Sequence, residues 1–262
     1  MVTALIRYPI KSCRGTALTE APVGARGIVG DREYMIVDAD GGFLTQREVP
    51  RMALVVPLLA SGALWLSGEG MPDLEVLQDA NGAPVRVTVW SDTCMAIDQG
   101  AQAAAWLSGF LEHPCRLVYL PAGERRRADQ EHAGPDDEVG FADGFPFLLT
   151  TEASLHALNQ RLASPLPMNR FRPNIVIDGR DAFEEDGWSR IRIGDLGFRV
   201  VKPCARCAIT TVDQLTAAAG KEPLRTLATF RRVSGKGVMF GQNLLHDGPG
   251  VLRVGSSVTL RP

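Results

Sequence analysis

The chain has 262 residues, with 28 basic against 30 acidic side chains, 45% hydrophobic residues and a formal charge of −2. These ordinary globular values leave no electrostatic footprint for nucleic acid, and a chain of this length buries about 75% of its unfolded surface, as one large or two small domains. The first residues run into strand-like sequence without a secretory h-region, an Arg-rich presequence or a span near roughly 18 apolar residues, so a cytoplasmic protein with no membrane partner is expected.

In chain order, strands are predicted over 2–8, 33–37, 43–46, 63–67 and 85–90, the second and third meeting around the turn Asp38-Ala39-Asp40-Gly41-Gly42. Ala104, Leu107 and Leu111 lie at helical spacing and predict a helix over 102–111, with a further strand over 116–120. The stretch 121–138 carries Arg125-Arg126-Arg127 and Asp136-Asp137-Glu138 among few apolar residues and reads as a solvated linker or long loop. Its arginines could dock an acidic redox partner, but a wet face is the favoured reading. Thr150 or Thr151 then caps a helix to about residue 162, with Leu155, Leu158 and Leu162 on one stripe. Further strands are predicted over 174–177, 190–193, 198–201, 208–212 and 251–260, and a helix over 222–232 with Pro223 in its first turn. Many short strands, glycine turns and few helices predict a mainly β, barrel-like fold.

The most telling string is Cys204-Ala205-Arg206-Cys207-Ala208-Ile209-Thr210-Thr211-Val212. A redox dithiol would sit at a helix N-terminus, whereas the residues after Cys207 favour a strand. Structural zinc needs four ligands, and Cys13, Cys94, Cys115 and the four histidines show no second paired spacing. Two small residues packed at a strand end remain open as a reading. Against it stands Arg206, whose charge beside Cys207 favours a thiolate, as a soft metal or a persulfide requires. Five cysteines, an odd count without a secretory signal, argue for reduced thiols.

Three other segments place polar groups at strand ends. Arg7 to Gly15 brings Lys11 and Ser12 to a glycine turn, a possible phosphate cradle. Gly30-Asp31-Arg32 precedes an apolar strand, and Arg172 with Asn174 stands at a strand entrance, able to make planar hydrogen bonds to a heterocycle.

Seven motifs in register, YPIKSCRG, GDREYMIVD with LTQREVPRMALV, FPFLLTTEASLHALN, FRPNIVIDG, CARCAITTVDQ, EPLRTLATFRR and FGQNLLHDGPGVLRVGSSV, resemble the MOSC-domain family. The resemblance is to members with an N-terminal MOSC β-barrel-like companion domain, the kind that includes amidoxime-reducing and other N-hydroxylated-compound reductases. It implies a companion domain over 1–120, a charged linker or loop over 121–138 and a MOSC domain over 139–262. It implies molybdenum-molybdopterin as cofactor, with Cys207, not Cys204, as metal ligand and catalytic centre. Lys11, Ser12 and Arg32 are implied at the terminal phosphate, Arg172 and Asn174 at the pterin, and Asp143, Arg206 and Asn243 as further cofactor contacts. Gly144 and Phe145 depart from hydroxyl side chains found in eukaryotic members, and Asn243 stands where animal enzymes have tyrosine.

The activity implied is reduction of small N-hydroxylated compounds to N–H products. No four-cysteine cluster motif is present, so the electrons are expected from a separate reductase or ferredoxin-like donor. The resemblance also implies an association with pyridoxal phosphate. Two alternatives are a sulfur carrier with a Cys207 persulfide and a non-catalytic molybdopterin-binding module.

Overall fold

The computed structural model describes residues 1–79 and 81–261. The fold is mainly β, as expected, around one large sheet. Its central path runs Leu196–Ala205, Gly237–His246, Phe147–Thr151, Ile175–Ile177, Val2–Arg7. Phe147–Thr151 and Ile175–Ile177 are parallel, which demands a crossover, and helix Glu152–Asn159 lies in it. Thr151 caps that helix, its hydroxyl accepting from the Ser154 amide at 3.0 Å. Val2–Arg7 pairs antiparallel with Ile175–Ile177, so the expected division between 1–120 and 139–262 is crossed by a strand.

A second sheet orders Tyr34–Val37, Arg116–Tyr119, Asp92–Asp98 and Pro84–Val89, with helix Ala101–Leu111 packed on it. Tyr34–Val37 is buried throughout because both faces are covered: Tyr34 and Ile36 enter one apolar cluster with Phe110 and Leu117, Met35 and Val37 another with Val118 and Phe141.

Four expected elements are corrected. Residues 208–212 are not a strand: Ala208–Thr211 forms a 3₁₀ turn, held by the Thr210 hydroxyl donating to the Cys207 carbonyl (2.9 Å) and the Thr211 hydroxyl to the Ala208 carbonyl (2.8 Å). Local hydroxyl bonds override β-propensity there. Residues 43–46 leave the sheet after a single Val37–Phe43 bridge, because the buried Gln46 amide donates to the Ser12 carbonyl. The helix expected over 222–232 shrinks to Leu224–Leu227, since Arg232–Val233 turns back to pair with Gly237 and Val238. The strand expected over 251–260 is two, Gly250–Arg253 and Val258–Arg261, broken at Gly255 with φ 86°.

Residues 121–138 form a loop, but not a solvated one throughout. Arg126 is buried, donating to the Gly140 (2.7 Å) and Ala142 (2.6 Å) carbonyls and pairing with Asp92 at 2.9 Å. Of the three consecutive arginines, Arg125 and Arg127 are exposed.

Glu185 is fully buried, taking hydrogen bonds from the Ser154 hydroxyl at 2.8 Å and the Thr151 hydroxyl at 3.3 Å. Burial pushes its pKa above 4.5 despite those bonds. The folded state then binds the proton more tightly than the unfolded one, so this residue costs stability as pH rises through its folded pKa. Glu185→Gln is therefore expected to raise the melting temperature at pH 7.5, with the gain vanishing below the ordinary value of 4.5. A melting difference that stays constant from pH 4 to 8 would refute this.

Candidate functional site

The segment after Val2–Arg7 and the turn at Gly30 are clasped together: the Tyr8 amide donates to Asp31 Oδ1 at 2.7 Å, and the Arg32 amide to the Tyr8 carbonyl at 2.6 Å. Gly140 lies so close behind that a Cβ there would stand 2.6 Å from the Arg32 carbonyl oxygen. Only glycine lets the chain pass at that distance. Ser12 (φ 65°), Arg32 (φ 49°) and Arg172 (φ 56°) all take left-handed backbone, a costly conformation that clusters where side chains must be aimed.

What they are aimed into is a single cleft, lined by all nine expected residues: Lys11, Ser12, Arg32, Asp143, Arg172, Asn174, Arg206, Cys207 and Asn243. Its free volume, about 150 Å³, is smaller than that of a groove elsewhere of about 660 Å³. Its claim rests on chemistry, since five cationic side chains, Arg47 with the four already named, line it beside Cys204 and Cys207.

The nearly buried Lys11 ammonium donates to the Phe141 carbonyl at 2.8 Å and pairs with Asp143 at the exposed rim. Burial lowers the Lys11 pKa below 10.5, while Asp143 draws it back up. Local desolvation disfavours the Asp143 charge, yet Lys11, the Trp90 indole N–H at 3.0 Å and Arg32 outweigh it and hold that carboxyl below its usual range. Arg32 Nη1 pairs with Asp31 at 2.5 Å and donates to Asn174 Oδ1 at 2.8 Å. The Asn174 amide also accepts from the Leu148 N–H and donates to the Ile6 carbonyl. Asn174 thus orients Arg32, with little hydrogen-bonding capacity left for a heterocycle. Asn243 donates to the Lys202 carbonyl at 3.2 Å.

Arg206 corrects an expectation. Its Nη1 lies 2.8 Å from the sulfur of Cys204, not Cys207, and its Nη2 donates to the Phe171 carbonyl at 2.7 Å. The i, i+2 alternation at the end of Leu196–Ala205 turns Arg206 back toward Cys204. Cys207 caps the following 3₁₀ turn and is exposed. The other three thiols are buried; burial pushes Cys13 up to about 12 and Cys94 to about 11, leaving both unreactive.

Two residues were not foreseen as functional. The Tyr8 ring lies 4.5 Å from the Arg32 guanidinium and 4.3 Å from that of Arg172, spacing two like charges on its π faces. Its phenol, raised to about 12 by burial, stays neutral and donates to the Pro173 carbonyl at 3.1 Å. Asp31, 4% exposed, ties both arms of the clasp together. Both stand inside motifs already noticed, but only the spatial juxtaposition reveals their use.

The donor set fits an anionic cofactor with a soft metal. Arg172 Nη1 and Arg206 Nε are buried without a hydrogen-bond partner, a costly state that anionic oxygens would relieve, and the exposed Cys207 offers a soft ligand.

A cationic cleft with one exposed thiol is the kind of site that accepts an anionic cofactor, and two family models match the chain around it. The model of the MOSC N-terminal beta barrel domain matches residues 1–114, and that of the MOSC domain residues 136–259. The chain is 35% identical to the human mitochondrial amidoxime-reducing component 1, over 99% of this chain and 82% of that protein. It is also 31% identical to the human molybdenum cofactor sulfurase, over 98% of this chain but 32% of that protein. The crystal structure of YiiM from Geobacillus stearothermophilus matches 45% of this chain and 55% of that one at 18% identity, with a TM-score of 0.33. The chain belongs to the MOSC-domain family, in its two-domain form.

The association with pyridoxal phosphate is withdrawn. It is a sulfurase feature, and this chain spans only about a third of the sulfurases it matches. Among the described residues, no helix is long and apolar enough to cross a membrane.

Proposed function

We propose that this protein is a molybdenum-cofactor oxidoreductase that reduces N-hydroxylated compounds, such as amidoximes, hydroxamic acids and hydroxylated bases. The balance is R–NH–OH plus two electrons and two protons to R–NH₂ plus water, the electrons coming from a separate donor protein. The observation that carries this reading is that Lys11, Arg32, Arg172 and Arg206, two with unpartnered buried nitrogens, line the same cleft as the exposed Cys207. The likeness to amidoxime-reducing components along nearly the whole chain supports it.

In this proposal Cys207 is the metal ligand. Lys11, Ser12 and Arg32 hold the terminal phosphate, Arg172 takes the pterin side with Asn174 behind it, and Arg206, Asp143 and Asn243 complete the walls. When bound, the cofactor supplies the two-electron chemistry. The protein's part is to aim cationic groups before anything binds, so that little reorganisation is needed. Asp143 accepts the Lys11 hydrogen bond, leaving that ammonium facing the cleft at neutral pH. The likeness to sulfurases and the exposure of Cys207 keep a persulfide carrier as the second reading.

Elemental mass spectrometry on protein from a host that makes the cofactor, together with benzamidoxime reduction by a chemically reduced donor dye, tests the proposal. About one molybdenum per chain and formation of benzamidine are expected. Metal-free protein carrying a persulfide on Cys207 would favour sulfur transfer, and loaded but inert protein would leave a binding module.

A further inference from the structure

Between the outward face of Val2–Arg7 and helix Glu152–Asn159 lies a groove of about 660 Å³, within the roughly 300–1,000 Å³ typical of small-ligand sites. Ala4, Ile6, Ala17, Leu155, Met168 and Val176 form its walls. A strand with one face on a core usually turns polar residues to water on the other. Here Leu5 enters the core, yet the residues on the opposite face, Ala4 and Ile6, are apolar and only half-buried.

The groove is charged at one place in its depth. Arg172, 8% exposed, borders both this groove and the cofactor cleft, and its Nη1 has no partner. A guanidinium carries five N–H donors in a planar fork, enough to serve both sides. Arg14 stands at the edge, one nitrogen donating to the Gln214 carbonyl at 2.6 Å. Glu152 and His156 are exposed at the rim, so no carboxylate among the groove residues is buried beside Arg172. An apolar trough with an unpartnered buried guanidinium is complementary to an organic acid: the hydrocarbon lies along the walls and the carboxylate meets the fork.

We propose that this groove binds a small organic monocarboxylate with an apolar body. The proposal shares Arg172 with the cofactor reading, through different N–H groups of one guanidinium, and does not require the activity assigned to the cleft.

Calorimetric titration of the full chain with 4-phenylbutyrate and with its neutral counterpart 4-phenylbutan-1-ol tests it, alongside Ala17→Trp. Ala17 is exposed on the short strand Thr16–Leu18, where tryptophan is a good strand former, so the variant fills the groove without disturbing the core. The acid is expected to bind the wild type with Kd below about 1 mM, the alcohol about tenfold or more weakly, and Ala17→Trp to lose about tenfold for the acid at unchanged melting temperature. Equal affinity for acid and alcohol would overturn the anion site. Wild-type affinity in Ala17→Trp would place the acid elsewhere, and no binding at about 10 mM would remove the proposal altogether.

Discussion

Cys207→Ser is expected to reduce molybdenum to background and to abolish any amidoxime reduction, while Cys204→Ser keeps at least about half the wild-type metal. The asymmetry follows from what each sulfur touches. Cys207 is exposed at the cleft and free to bind a metal, and a serine hydroxyl, with a far higher pKa than a thiol, is a poor replacement for a soft thiolate ligand. Cys204 accepts from Arg206 Nη1 at 2.8 Å, and a serine oxygen there can accept the same donor. Metal analysis of both variants, with melting curves to exclude misfolding, decides the matter. Equal losses would point to a site shared by both thiols.

Asp31→Ala should be among the most destabilising single changes in the cleft. It removes one partner of a nearly buried ion pair, side chains 13% and 3% exposed, and strands the Tyr8 amide that donates to Asp31 at 2.7 Å. Breaking such a pair costs about 3–5 kcal/mol, or a melting shift on the order of 10 °C for a chain of this size. Asp40→Ala, on an exposed turn, should stay within about 0.5 kcal/mol. If thermal denaturation shows less than about 1 kcal/mol for Asp31→Ala, the clasp is not the support inferred for Arg32 and Tyr8.

The pieces legible in the sequence were those whose chemistry is local. Apolar runs such as Tyr34–Val37 declare themselves by composition, as does the Thr151 cap with its helix. Nine residues meet in one cleft, of which Asp143 and Asn243 were pointed to by the family resemblance alone and not by their local pattern. Gly237–His246 was illegible because Gly241, Gln242 and Asn243 interrupt its apolar pattern; Gln242 is buried only because Asp186 accepts its amide at 2.8 Å. Asp92–Asp98 hides its alternation behind small inward residues, Cys94 and Ala96. Tyr8 acts through a partner that sequence order does not bring near, Arg172, more than 150 positions away, and Asp31, although it pairs with its neighbour Arg32, also takes the amide of Tyr8, 23 positions earlier. The direction in which Arg206 points was unreadable for a related reason, since a neighbour in sequence need not be a neighbour in contact.

The pairing of Val2–Arg7 with Ile175–Ile177 sets a constraint on biosynthesis. About 170 residues separate the partners, so at roughly 5–20 residues per second the earlier segment leaves the ribosome some 10–30 seconds before its neighbour exists. Until then VTALIR can pair with Thr16–Leu18 on one side only, and its other, apolar-rich edge stays open on the nascent chain, the kind of segment that aggregates or recruits a holdase. Slowing translation across the intervening stretch should therefore lower the yield of native protein more than slowing it after residue 177.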